Sequence, residues 1–424
     1  MSSRHPTIFA GVGVLTIAAV AAPFDGDPPG VALSRQAYEA EYPKQGTSAA
    51  ALEIAELAAK LGIDATVDSG PGARPGLDRT TASGRAISAS SEYVNAQLQD
   101  SNDAVGPPPP VVASFLEEHA AALAGIVAAG SGRREIAWDI DVTLGTRSPV
   151  PAWAGLTLVQ RLIAAQVLVD LRRQDSAAAL AGIEAIWQIA RSVAARPEMM
   201  SELIAMGHAR LAVGLLRKLR VPAYGWETRL REGEFLREFL TAFQNDAWPS
   251  ADHPGMEENA EVLGRIYRRF ADGLVERSPC AWTTADLQHS WDVAISGETN
   301  PNEIEITISS ESIIRMLMKS YRLLLDSELT ALVVEARAER AASRDDEWPA
   351  RLSDLESRVC PGHFYVYART GAMTLAFQGP APGTGDATLT LPSTFRGASA
   401  PTRTPTPRPT VLTPTPPAHR LLGR

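Results

Sequence analysis

"LTLVQRLIAAQVLVDLRRQDSAAALAGIEAIWQIARSV", residues 156–193, decides the fold of this chain. Its apolar residues recur every three to four positions over many turns, which is the period of an amphipathic helix and not of a strand. The polar break at Gln174-Asp175 splits the stretch into two helices, and Asp175 can cap the second by accepting a backbone N–H. A connection this short makes the two helices antiparallel neighbours with a shared core. Pro197 suits the first turn of a third helix running to about Arg220, and Pro222 stops it.

Working outward, "VVASFLEEHAAALAGIVAAG" (111–130) places Val112, Phe115, Leu116, His119 and Leu123 on neighbouring turns of one amphipathic stripe. "REIAWDIDVTLG" (134–145) alternates and is expected to form a short strand. The run Pro107 to Pro110 is a stiff spacer and marks a boundary. Before it, residues 25–110 read as a loosely ordered segment with a helix near Ser48 to Leu61 and the loop "DSGPGARPGLDRTTASG". The helical domain spans 111–245. A mixed segment, 246–392, then holds Trp248, Trp282 and Trp291, a strand-like "EIEITI" (303–308) and a long helix from Ser310 to Ala342. "DDEWPARLSDL" follows, and "FYVYARTGAMTLAF" reads as a hairpin around a Thr-Gly turn, with "ATLTL" (387–391) as a further strand. The fold class is therefore mainly α: an antiparallel helical bundle or helix-pair array with a small C-terminal antiparallel β unit. Residues 393–424 are expected to be a disordered Pro/Thr-rich tail, since seven prolines and six threonines fill positions 401–417.

"HPTIFAGVGVLTIAAVAAPFDGDP", residues 5–28, supplies an address. Its apolar centre, Ile8 to Val20, is shorter than the roughly 20 residues of a comfortable membrane span. It fits the apolar region of a secretory signal, with Arg4 and His5 before it and the small residues Ala19-Val20-Ala21 at a cleavage position. Residues 1–24 are read as a signal peptide or a retained membrane anchor, which makes the protein exported: periplasmic, or anchored in the inner membrane and facing the periplasm.

The net charge of −9 argues against generic nucleic-acid binding, which needs a basic surface to neutralise phosphates. From Ala387 to the end there are five arginines and no acid, so subtracting +5 from −9 leaves −14 for the rest. Such a tail could touch anionic envelope polymers or lipids, although a solvated tail without a partner is the simpler reading.

The order of parts resembles a group of uncharacterised, predicted envelope proteins of bacteria with large genomes. The likeness is carried by "VDLRRQDSAAALAGIEAIWQIA" and by "LLLDSELTALVVEARAERAASRDDEWPARLSDL", over roughly residues 111–380. It implies an N-terminal signal or anchor, a helical middle and a "WP..L..L" unit, hence architecture and location but no activity. The pair at 160–192 also looks like a single tetratricopeptide unit, with Ala179 near the small packing position. It departs from that pattern at Gln174, where Gly is usual, and at Ile186, where Ala is usual. The long helix followed by "EWPARLSDL" and a small sheet is similar to the globular part of type II secretion pseudopilins, whose hydrophobic helix, unlike this one, starts the chain.

No catalytic or cofactor motif stands out. The nearest approach to a metal set is Asp252, His253, Glu257 and Glu258 in "SADHPGMEE", with His289; its spacing matches no known arrangement, and an acidic loop accounts for it. Asp139 and Asp141 share one face of the expected strand, where paired carboxylates could do acid–base work, but a solvated face is the simpler reading. His119 and His208 lie in helices and read as satisfied core or boundary histidines. No metal or cofactor site and no catalytic residue is assigned. Cys280 and Cys360 read by default as free thiols; a bridge would require their alpha carbons to approach within about 7 Å. Three function classes remain: a non-catalytic binding or scaffolding component that meets other envelope proteins, an envelope hydrolase with an unrecognised site, and an accessory of a secretion or pilus-like system.

Overall fold

Two facing helices grow from the stretch at 156–193, and the rest of the chain packs around them. The computed structural model describes residues 35–68, 80–100, 102–233, 235–248, 257–275, 279–297, 310–370, 372–379 and 393–395. The elements begin with α1 (Arg35–Glu41), α2 (Ala49–Lys60), β1 (Val67–Asp68), α3 (Ala82–Gln99), α4 (Pro110–Glu118) and α5 (Ala120–Ser131). They continue through β2 (Val150–Pro151), α6 (Trp153–Arg172), α7 (Ser176–Ala194), α8 (Met199–Lys218), α9 (Trp226–Arg231) and α10 (Phe235–Asn245). The last are α11 (Glu257–Val275), α12 (Thr284–Ser296), α13 (Ser310–Ala342), β3 (Phe364–Thr370), β4 (Ala372–Gln378) and β5 (Ser393–Phe395). The protein is mainly helical with a small antiparallel sheet near its C-terminus, as the periodicity predicts.

Asp175 caps α7 by accepting the Ala178 N–H at 3.0 Å. Ala179 is fully buried between α6 and α7. One turn on, Gly182 is the point of closest approach, because a Cβ there would collide with Val167. α7 packs against α5, α6 and α8, and α2 and α3 join the same core through α5 and α6. That core runs without interruption from Ala50 to Val334 and takes side chains from both sides of the proline run at 107–110. α6 and α8 are long and apolar enough to cross a membrane, but 61% and 72% of their apolar windows are buried inside the protein. Here they serve as central helices of a bundle.

α13 is the shared wall of two cores. Ile313, Ile314 and Leu317 face the main one. Tyr321, Leu325, Leu329, Leu332 and Ala336 face a second one made with Trp348, Leu352, Tyr365, Leu375 and Phe377. β3 pairs with β4 from Phe364↔Gln378 to Thr370↔Ala372, and β5 adds to the far edge of β4. Residues 393–395, at the start of the expected tail, thus form a strand. Glu328 on α13 holds the unit in place: its carboxylate accepts from Ser357 Oγ at 2.6 Å, the Arg358 N–H at 2.6 Å and the Tyr365 hydroxyl at 3.0 Å.

Three expectations need correction. Residues 134–145 form no strand; the chain is extended but makes only an isolated bridge, Gln45↔Ile140, before a 3₁₀ turn at Val142–Arg147. The alternation is genuine, since Ile136, Trp138 and Ile140 are buried, but the neighbouring chain at 45–48 bonds only its ends and no ladder develops. The stripe at 111–130 is not one helix either, because α4 and α5 bend by 72° about His119. Finally, Cys280 and Cys360 are not free. Their alpha carbons lie 5.5 Å apart and their sulfurs are bonded. The sequence could not reveal this, because α13 carries the chain back across 80 residues to bring them together. The apolar segment at 1–24, "EIEITI", "ATLTL" and positions 401–417 lie outside the described residues.

Candidate functional site

The helix bend at His119 has a structural consequence: it opens a groove between α4 and α6. Leu116, Ala113 and Ala120 line one side, and Val169 and Gln166 the other, enclosing about 450 Å³. Arg172 and Arg173, at the C-terminal end of α6, stand exposed at the rim opposite Glu117. Neither arginine forms an ion pair among the described residues. Their position is favourable in itself, because cations at a helix C-terminus complement the exposed carbonyl dipoles. Beneath the rim, Gln166 Nε2 donates to Asp170 Oδ1 at 2.8 Å. Burial raises the Asp170 carboxyl above its ordinary value. The groove therefore offers an apolar floor with two unpaired guanidiniums at one end.

Asp139 is half-buried, and its charge reaches Lys44 alongside that of Asp141. Asp141 is buried and tied to Lys44 Nζ at 2.8 Å, with the Thr143 hydroxyl donating at 2.5 Å. The Lys44 hydrogen bond, followed by that from Thr143, holds its carboxyl below the usual range. This corrects the expected solvated face. Nearby, the Asp139 backbone carbonyl accepts from Arg196. His208 is 2% exposed; burial, followed by the Arg161 charge, pushes it down to about 3. Its Nε2 lies 3.3 Å from the Thr157 hydroxyl, while Nδ1 has no hydrogen-bond partner. His119 packs its ring on Phe115 at 4.4 Å. Of the acidic and histidine set, Asp252 and His253 lie outside the described residues, Glu257 and Glu258 open α11, and His289 is exposed on α12. Among the described residues no group of three metal-ligating side chains converges.

Among the acids that sequence reading passed over, two have strongly raised carboxyls. Glu202 on α8 is 1% exposed, and burial, then the Glu238 charge, pushes it up to about 8. Burial, then Glu198, pushes Asp246 up to about 6. Helical spacing carried a signal for Glu202, which shares its face with the buried Ala205, Met206 and Ala209. Neither acid lines the groove. No family model, curated protein or solved structure matches this chain.

Proposed function

We propose that this chain is an exported helical protein that binds other components of a bacterial cell envelope without catalysing a reaction, and that the α4–α6 groove is its contact surface. The observation that carries the address is the Cys280–Cys360 bridge, sealed between α13 and the C-terminal unit. Such bridges form and persist in oxidising compartments and are rare where thiols are kept reduced. Together with the apolar segment at 8–20, it supports export. The binding reading rests on the separation of the groups with strongly displaced pKa values, Glu202, His208 and Asp246, from the groove. An enzyme site would gather such groups around a cavity.

The partner that suits the groove is a segment with apolar side chains and an acidic group. The apolar residues would lie along Leu116 and Val169, and the acid would meet Arg172 and Arg173. Two measurements test this. An alkaline phosphatase fusion after Gly30 should be active, and a silent fusion beside a working cytosolic reporter contradicts export. A photoreactive residue at Ala113 should crosslink one defined envelope protein, and R172E/R173E should abolish that product. Crosslinks that persist unchanged in the variant remove the groove from the account.

A further inference from the structure

Three arginines converge where α8 and α13 meet, around one buried acid, and a fourth on α6 lies near one of them. Asp326 on α13 has a side chain only 4% exposed, and it faces Arg217 Nη1 at 3.5 Å, Arg210 Nε at 3.8 Å and Arg322 Nε at 4.0 Å. Arg161 on α6 stands close enough to Arg210 to feel its charge, and its described partner is a neutral one, Asn95 Oδ1 at 2.5 Å.

Three arginines elsewhere form tight pairs with carboxylates of their own, although Arg220–Asp103 and Arg358–Asp354 are as long as the pairs around Asp326, at 3.7 Å. Arg191–Glu238, Arg229–Glu184 and Arg231–Glu335 all close at 2.6 Å. The pairs around Asp326, at 3.5, 3.8 and 4.0 Å, lie beyond the roughly 2.7–2.9 Å of a direct charge-assisted bond. One carboxylate is shared by three guanidiniums and satisfies none fully. Arg217 adds weak bonds to Thr330 Oγ1 at 3.2 Å and the Asp326 carbonyl at 3.4 Å. Arg322 Nε is buried and donates no hydrogen bond. Four positive charges against one negative leave the cluster at +3, on a chain whose net charge is −9. Burial, then repulsion from Arg210, lowers Arg161; burial lowers Arg322 too, with Arg210 and Arg217 adding to the effect against Asp326. The cluster opens to solvent, because the Arg210 side chain is 60% exposed and that of Arg322 36%.

We propose that Arg161, Arg210, Arg217 and Arg322 form a binding site for a phosphate-bearing ligand, which competes with the buried Asp326 for the three guanidiniums nearest it. Planar guanidinium forks bind phosphate oxygens bidentately, and donors left unfilled by Asp326 are available to do so. The phosphate could belong to a lipid headgroup or to a soluble ligand. The inference does not depend on the α4–α6 groove.

The test uses the full chain with its disulfide intact, at low salt. Calorimetry with inorganic pyrophosphate forms one arm. Co-sedimentation with phosphatidylcholine vesicles, with and without phosphatidylglycerol, forms the other. Each is compared with R161Q/R210Q, which removes two charges, and with D326N, which removes the competing acid. Saturable pyrophosphate binding that weakens about tenfold or more in R161Q/R210Q supports a soluble phosphate ligand. A comparable loss seen only with phosphatidylglycerol vesicles supports a lipid headgroup. In either case D326N, if it keeps its cooperative melt, binds more tightly than the unaltered chain. Should the double variant fail to fold, the exposed R210Q alone carries the comparison. Equal binding by chain and variants in both arms overturns the proposal, as does a folded D326N with no gain in either arm, since the arginines would then serve only to neutralise Asp326.

Discussion

Gln174, in the turn between α6 and α7, holds a left-handed backbone with φ of 61°. A residue with a Cβ pays roughly 1–2 kcal/mol for that conformation, which glycine adopts freely. Gln174→Gly should therefore stabilise the protein, by about 0.5 kcal/mol once the greater freedom of glycine in the unfolded chain is set against the relief. A chemical denaturation curve checks the sign. Two other glycines separate space from backbone freedom. Gly182→Ala forces a methyl into Val167 and should cost about 1–3 kcal/mol. Gly207→Ala, on the exposed face of α8 with nothing near the added carbon, should gain up to about 1 kcal/mol.

Glu202 gives a pH dependence of definite sign. Its carboxyl is raised from 4.5 to about 8 on folding, so the folded protein holds the proton more tightly than the unfolded chain. The stability tied to that proton is complete below pH 4.5 and drains away as pH rises toward 8. Each pKa unit corresponds to about 1.4 kcal/mol. Glu202→Gln, which cannot ionise, should match the unaltered protein near pH 5 and exceed it by a few kcal/mol near pH 8. Equal midpoints at both pH values would show that Glu202 is not desolvated.

At the scale of elements, α13 does the most to organise the molecule. One face completes the main core and the other supports the β unit. Its Arg337 donates to the Leu216 and Arg217 carbonyls at 2.8 Å, closing the C-terminal end of α8, and lies 5.1 Å over the Phe395 ring. The disulfide encloses this helix. Closing a loop of 80 residues stabilises by roughly 4–5 kcal/mol in the chain-entropy model. Tyr321 packs against both sulfurs, its hydroxyl 2.7 Å from Cys280 and 2.6 Å from Cys360. Reduction should lower the unfolding free energy, read from a denaturant titration, by no more than that, with the far-ultraviolet helical signal retained below the transition. Loss of helix on reduction alone, without denaturant, would mean the bridge is needed for the bundle itself.

The elements also show what can be read from a sequence. Helices α2, α6, α7, α8 and α13 were legible because each keeps a 3.6-residue apolar period over at least three turns. The bend at His119 was not, since neither proline nor glycine marks it and Ala-rich sequence is helical on both sides. The strand expected at 134–145 failed for a different reason. Alternation reports which side chains are buried, while a strand also needs a partner, and partners are set by the fold.

Across the whole molecule, several ion pairs join residues distant in sequence. Arg217 and Asp326, or Lys44 and Asp141, carry no local pattern. The groove likewise depends on two helices separated by α5, an extended chain, a 3₁₀ turn and β2. Composition could indicate only that an acidic helical body bears local positive charge somewhere. The two cysteines connect the molecule to its compartment. Cys360 is fully buried, so once formed the bridge is shielded from solvent on that side. In a reducing compartment the same pair would remain thiols. The direct test is to block free thiols in intact cells that make the protein, then map a non-reduced digest by mass spectrometry. The account predicts a linked pair of peptides containing Cys280 and Cys360, with no blocking group on either. Two blocked, unlinked cysteines would contradict both the bridge and the export that it supports.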